Sequence, residues 1–290
     1  MANPQSAPAS AGSRAARPQT VLQVMKRVQI APHLVRLTLG GPGFENFVDK
    51  AVTDRYIKIM FAKPELGLTP PYDMEALREQ LPMEDLPVRR TYTVRSSDPV
   101  AQTIDVDFVV HGDQGLAGPW AQNAQVGESV CFAGPGGLYF PRDEFDFHIL
   151  CGDETAIPAI SAAVESMDAS MRGAVLIEVS DEQDEMDLGA PDGVEVIWVH
   201  RGAAFDPQNT VLENAVREVP WPEGRAQVFA HGEREVMKSL RGYFYNERGV
   251  DRRDMSLSAY WAYGRAEDDF QAEKRSPIGR IFDEEPAQRS

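Results

Sequence analysis

The apolar positions of the chain follow two different rhythms, and the change falls near Pro141. Between Val21 and Pro141 they come in short runs: VLQVMKRVQI, LVRLTLG, DRYIKIMF, RTYTVRS, TIDVDFVVH and ESVCFAG. Each run is rich in β-branched or aromatic residues and is bounded by turn formers, which predicts a strand. Six closely spaced strands with no long helix between them predict an antiparallel barrel or sandwich. The one long interruption, from Ala62 to Val88, carries LTPPYD and a short helical pattern at MEALREQL.

After Pro141 strands alternate with helices. FHILCG, AVLIEV, VEVIWVH, AQVFAHG and LSAYWAY read as strands. DETAIPAISAAVESM puts Ile157, Ile160, Ala163 and Val164 on one stripe, as a helix requires. NTVLENAVREV and REVMKSLRGYFYNER predict two more helices. Such alternation predicts parallel α/β packing. The expected organisation is a disordered tail over 1–20, a β-barrel over 21–142 and an α/β half over 143–290. A ligand would lie between the halves or at the C-terminal ends of the parallel strands.

Composition narrows the function. The 290 residues carry a net charge of −16 and a pI near 4.8. That argues against nucleic acid or an anionic membrane surface as partner. An anionic ligand would need a local basic pocket. Cys131 and Cys151 form no CxxC and sit in apolar stretches, which predicts buried, inert thiols. The first twenty residues lack an apolar signal region, and no run is long enough to span a membrane, so a cytoplasmic protein is expected. The five histidines show no zinc-ligand spacing, and no protein-bound metal is expected.

Two stretches carry chemistry. In RRTYTVR, residues 89–95, alternation sends Arg90, Tyr92 and Val94 to one face and Thr91, Thr93 and Arg95 to the other. Neither face sorts polar from apolar. If a flavin lies on this strand, Arg90 would meet its pyrophosphate and Tyr92 its ring or ribityl part. Thr93 would offer a hydroxyl or N–H to the reactive flavin nitrogen. Alternatively, this is a barrel strand with a solvent-facing arginine. The second stretch runs from Asp107 to Gly137. Gly112, Gly115 and Gly118 would let backbone approach a ligand, and PWAQNAQ predicts a short helix with Pro119 first. Taken alone, it is equally a surface turn.

Five ordered motifs resemble the siderophore-interacting proteins, or ferric-siderophore reductases, of the ferredoxin–NADP reductase superfamily. They are PVRRTYTVR, DFVVHG…GLAGPWA…VGE…GPGG, GDETAIPAI, HGE…LRGYF and YWAYGRAEDD. The resemblance covers nearly the whole chain after the tail. It implies a Greek-key FAD-binding barrel, an NAD(P)H-domain-like α/β half, and reduction of siderophore-held iron(III). By this resemblance the cofactor contacts are Arg90, Thr91, Tyr92, Thr93, Phe108, Val109, His111, Gly112, Gly118, Pro119, Trp120, Thr155 and Trp261, with Thr93 nearest the chemistry. Trp120 stands directly after Pro119, where relatives have small residues, and Ala259 replaces a common glycine. Asp153 and Glu154 would lead into the first α/β helix, while Tyr260 and Gly264 would lie near the flavin face. Thr155 is also read as a helix N-terminal residue, and Trp261 as core.

A ferric siderophore is often anionic, and Lys50, Arg55, Lys58 and Lys274 are the candidates to hold it. FAD is the expected cofactor, with NADPH or NADH as donor and reduced ferredoxin left open. Arg201 and Glu233 stand at strand ends where a donor nucleotide would be contacted. A monomer is expected. The alternatives are a general NAD(P)H-dependent flavin or ferric-chelate reductase and a non-catalytic siderophore-binding protein.

Overall fold

The computed structural model describes residues 18–282, apart from positions 111, 113, 114, 203 and 275. Six strands form the first half: β1 (Gln19–Ala31), β2 (Leu34–Gly40), β3 (Tyr56–Phe61), β4 (Val88–Asp98), β5 (Thr103–Val109) and β6 (Ser129–Gly136). They close a barrel in the order β1-β2-β5-β4-β3-β6, with every neighbouring pair antiparallel. Alternation builds its interior. Leu22 and Val24, Leu37 and Leu39, Ile57 and Ile59, Ile104 and Val106, and Val130 and Phe132 all point inward and are buried. Strand β1 begins inside the stretch assigned to the tail.

Two short helices finish the barrel. Helix α1 (Met74–Gln80) lies in the long interruption, where the Asp73 carboxylate accepts from the N–H of Glu75 and Ala76, both at 3.1 Å. Helix α2 (Ala117–Asn123) packs Ala117 and Ala121 against the barrel core.

The second half is a five-stranded parallel sheet. Its strands β7 (Phe147–Asp153), β8 (Gly173–Val179), β9 (Val194–His200), β10 (Ala226–Glu233) and β11 (Met255–Trp261) run in the order β11-β10-β7-β8-β9. Both faces are covered, so β8 and β10 are buried along their whole lengths. Helix α3 (Ile157–Ser166) packs Ile157, Ile160 and Val164 on Leu150, Val175 and Phe229. Helices α4 (Val211–Glu218) and α5 (Arg234–Arg241) cover the other face through Leu212, Val216, Val236 and Leu240. The single helix predicted from Arg234 to Arg248 widens after Arg241 into a π-helical turn over Gly242–Glu247.

The halves share a core. Leu34 and Tyr139 from the barrel join Leu150, Ile157 and Phe229 of the sheet in one apolar cluster. Burying a leucine or isoleucine side chain stabilises by roughly 1.5–3 kcal/mol. Arg95 on β4 pairs with Glu165 on α3, and His33 with Asp184 at 2.9 Å. Helix α6 (Glu267–Glu273) is absent from the sequence reading. It is anchored by buried Phe270 against Ala259 and Ala262, and its Asp268 reaches back to the barrel. Among the described residues no helix is long and apolar enough to cross a membrane.

Candidate functional site

A cleft of about 1230 Å³ lies between the barrel and the C-terminal ends of β7, β10 and β11. That exceeds the ~300–1,000 Å³ that holds one drug-sized ligand, leaving room for a cofactor and a second molecule. Its barrel wall is Tyr56, Lys58, Thr91, Tyr92, Thr93 and Val109. The sheet wall brings Glu154, Thr155, Arg201 and His231, and the C-terminal segment brings Tyr260, Trp261, Gly264, Glu267 and Lys274.

Three residues of the RRTYTVR strand, Thr91, Tyr92 and Thr93, line the cleft, and its side chains divide their roles. Thr91 is exposed and Thr93 buried, and both line the cleft. Tyr92 turns its ring onto Phe108 with centroids 4.3 Å apart, and burial pushes its hydroxyl well above the usual range. Arg90 is held by a carboxylate from α6. Its guanidinium donates to Asp268 at 2.9 and 3.2 Å, in the forked geometry it would use on a phosphate.

Several of the expected contact residues have packing roles in the fold. Phe108 has no exposed surface; it stands between Tyr92 and Trp120 and supports the tyrosine from behind. Trp120 lies against Phe61 and Phe108, donates its indole N–H to Glu128 at 2.5 Å, and is not a wall of the cleft. A Cβ on Gly118 would meet the Val109 carbonyl at 3.1 Å, so this glycine serves helix–strand packing. Pro119 is the third residue of α2, not the first, and its missing N–H falls among those a helix start leaves unpaired anyway. Gly112 (φ 57°) and Gly115 (φ 78°) adopt the left-handed backbone that glycine favours, and a Cβ on either would meet nothing within 4 Å. His111 lies outside the described residues.

The four basic candidates divide evenly. Lys58 and Lys274 face the cleft. Lys274 is largely buried and sits 4.5 Å from the Phe270 ring centre; burial lowers its pKa, Glu267 opposes that shift, and Lys58 adds to it. Lys50 instead donates to the Gly137 carbonyl, and Arg55 pairs with Asp49 at 3.1 Å. Neither lines the cleft, because nearby acceptors take both groups.

The sheet wall is organised around Asp153. One carboxylate oxygen accepts from the Thr155 N–H at 2.9 Å and hydroxyl at 2.5 Å; the other accepts from the Glu233 N–H at 2.9 Å and the Trp261 indole at 2.8 Å. Thr155 and Trp261 therefore both line the cleft on one buried anchor. Gly232 makes room for it, since a Cβ there would stand 2.6 Å from Asp153 Oδ2. Burial, then the Glu154 charge, raises Asp153 to about 6. Trp261 also meets Phe205 edge-on at 4.8 Å.

The two strand-end residues expected to face a donor nucleotide are engaged elsewhere. Arg201 donates to Glu154 at 2.6 and 2.8 Å and lies 3.7 Å from Glu178. Burial, then Asp153, raises Glu178 to about 7. Glu233 caps α5 through the N–H of Glu235 at 2.6 Å and Val236 at 3.1 Å. Sequence reasoning missed Asp153 as the anchor, and missed Glu178 and His231. An acid ending a predicted apolar strand was the available signal. Among the described residues no group of three or more potential ligands is placed to hold a metal ion.

The donor set suits a flavin dinucleotide. The cleft offers hydroxyls from Thr91, Thr93 and Thr155 and a tyrosine ring already packed from behind; Arg90, two residues along the same strand, does not line it and holds a carboxylate in forked geometry. Family models match along the chain: a siderophore-interacting FAD-binding domain over residues 23–139 and a siderophore-interacting protein domain over 145–264. An uncharacterised protein of Mycobacterium tuberculosis is 43% identical over 90% of this chain and 96% of its own length. The ferric vibriobactin reductase of Vibrio cholerae is 32% identical over 90% and 96%. The crystal structure of a siderophore utilization protein from T. fusca superposes with a TM-score of 0.74 at 32% identity, covering 86% of this chain and 94% of that one.

Proposed function

The chain belongs to the siderophore-interacting protein family, and from that premise we propose that it is an FAD-dependent reductase of ferric siderophores. The observation that carries the reading is the shared cleft, lined by Thr93 and Lys58 of the barrel, Thr155 and Trp261 of the sheet half, and Lys274 after the last helix.

Bound FAD supplies the one chemical property needed here: it takes two electrons together and releases them singly, which suits a one-electron iron acceptor. The chain's own residues bind and orient. Tyr92 would give the ring a rigid surface, Thr93 would offer it a hydroxyl, and Arg90 would hold the pyrophosphate in place of Asp268. Lys58 and Lys274 draw an anionic ferric chelate to the open side of the cleft against a net charge of −16. Iron arrives as cargo in its chelator. No side-chain acid–base pair is required to break a bond.

The donor is read as a nicotinamide nucleotide entering along the sheet wall. NADH is favoured over NADPH, because Arg201 is already committed to Glu154 and Glu178 at the strand end expected to take a 2′-phosphate. Reduced ferredoxin is the competing donor.

Purified protein reconstituted with FAD is expected to show flavin absorption, to be bleached anaerobically by NADH, and to recover colour as a ferric chelate is reduced. A protein that cannot take up FAD contradicts the reading and leaves a siderophore-binding role. Equal rates across unrelated ferric chelates would instead indicate a general ferric-chelate reductase.

A further inference from the structure

The parallel sheet has a place where a dinucleotide is ordinarily held, and the chain fills that place itself. From β7 the sheet grows through β8 to β9, and β10 and β11 are then laid on the other side of β7. The crevice at the carboxyl ends of β7 and β10 is therefore the switch point of the sheet. There the N-termini of the following helices ordinarily offer N–H groups to a pyrophosphate.

Both strands end in an acid whose carboxylate takes up such N–H groups. Asp153 ends β7. One of its oxygens accepts from the Thr155 N–H at 2.9 Å, and the other reaches across to the Glu233 N–H, also at 2.9 Å. Glu233 ends β10 and accepts from the N–H of Glu235 at 2.6 Å and of Val236 at 3.1 Å, in the first turn of α5. At the entry to α3 the Ile157 N–H goes to the Glu154 carbonyl, and Pro158 has no N–H to offer. The strand-end glycines make room for the chain's own atoms. A Cβ on Gly152 would stand 2.3 Å from the His231 carbonyl oxygen, and one on Gly232 would stand 2.6 Å from Asp153 Oδ2.

The charges point the same way. Glu154 lines the cleft next to Asp153 and holds both arms of the Arg201 guanidinium, at 2.6 and 2.8 Å. The two side chains are 11% and 5% exposed, so water screens the pair little. A phosphate entering the crevice would meet the carboxylates of Asp153, Glu154 and Glu233 and an arginine already forked onto one of them. The other basic groups of the cleft, Lys58, Arg265 and Lys274, belong to the barrel and to the segment around α6, not to the end of β7 or β10.

On the nicotinamide-donor reading above, on which this rests, we propose that the sheet half takes its electron donor by the nicotinamide end alone. The pyrophosphate and adenosine of a dinucleotide stay outside the crevice, and Glu154 is the residue that keeps a phosphate from Arg201. The donor class is then a dihydronicotinamide ribotide, with or without a second nucleotide attached. Thr155 and Trp261, fixed on Asp153, are the part of the sheet wall left to receive its ring.

The full-length protein, loaded with FAD, is reduced anaerobically by subsaturating NADH, NADPH and reduced nicotinamide mononucleotide, which lacks the second nucleotide. The second-order rate constants are expected to agree within about threefold, because a donor half that makes no contacts cannot separate them. ADP-ribose, the dinucleotide without its nicotinamide, is expected not to slow the reaction. A readout without flavin is calorimetry of the apoprotein with ADP-ribose, expected to show no binding tighter than about 1 mM. Glu154→Gln releases the Arg201 fork from a carboxylate. It is expected to raise the ratio of the NADPH constant to the mononucleotide constant about fivefold, within the range of one net hydrogen bond. Both donors are compared in the same variant, so a general loss of folding does not move the ratio. If that variant does not fold, the wild-type series and the ADP-ribose titration decide alone. NADH at least about tenfold faster than the mononucleotide, with ADP-ribose competing, overturns the proposal and leaves the flavin reading intact. An unchanged ratio in Glu154→Gln overturns the role given to Glu154. A protein that binds FAD but is reduced by none of these donors overturns the nicotinamide-donor reading together with the proposal.

Discussion

The two walls of the cleft solve opposite problems. The barrel wall presents hydroxyls and an amine to whatever enters: Thr91, Thr93 and Lys58. The sheet wall has gathered carboxylates, Asp153, Glu154 and Glu178, and met them from within, through Arg201, the Trp261 indole and backbone N–H groups. The barrel wall also carries Asp54 and Asp107, met by backbone N–H groups and by Arg36, so the walls differ in how many carboxylates they gather. Anionic partners are expected to bind at Lys58 and Lys274, while the sheet side fixes Thr155 and Trp261 in place.

The largest expected effect comes from breaking the sheet wall. Arg201→Met would leave Glu154 and Glu178 without their buried counter-charge. The expected loss is about 3–5 kcal/mol of stability, read as a lower urea midpoint. A loss below about 1 kcal/mol would mean that the carboxylates are met by solvent instead.

The next test sharpens the barrel wall. Arg90→Ala is expected to weaken FAD binding by about tenfold or more, the scale of a charge-assisted hydrogen bond. Asp268→Ala is expected to tighten it, because the guanidinium no longer has a carboxylate to give up. Fluorescence titration of the apoprotein with FAD measures both. If the two variants shift affinity in the same direction, Arg90 and Asp268 do not compete with the cofactor.

A smaller effect is expected at the open side. Lys58→Ala combined with Lys274→Ala should raise the KM for an anionic ferric chelate about fivefold and leave that for a neutral one unchanged. The rise should shrink as salt is added.

The smallest effect is the pH signature of the sheet wall. Glu178 is raised from its ordinary 4.5 to about 7, first by burial and then by Asp153. The folded protein therefore holds a proton there that the unfolded chain has already lost. This contribution is fully present below pH 4.5 and is lost as pH rises through about 7. Glu178→Gln removes that dependence, so its Tm is expected to gain on the parent between pH 5 and pH 8 by a few degrees. A constant gap across that range would show that Glu178 is ionised throughout.

The barrel was legible because its chemistry follows period 2. Inward positions such as Ile57 and Ile59, or Ile104 and Val106, are apolar, so strand number and class could be read directly. RRTYTVR stood out for the opposite reason: its faces do not sort, and the strand does line the cleft. Other candidate residues have packing roles in the fold. Phe108, Trp120 and Gly118 belong to the right segments, but no local pattern tells a side chain behind a site from one in front of it. Helix α6 was missed because EDDFQAE has a single apolar anchor, Phe270, and therefore no stripe. Asp153 and His231 were illegible as partners because their partners come from strands far apart in sequence.

The central claim is that the barrel wall holds a flavin which passes electrons to iron(III) in the same cleft. The most direct measurement is anaerobic titration of the FAD-loaded, fully reduced protein with a ferric siderophore, following flavin colour and iron(II) together. The expected result is full recovery of flavin absorption with about two iron(II) formed per flavin. A reduced flavin that stays bleached in the presence of excess ferric siderophore would contradict the account.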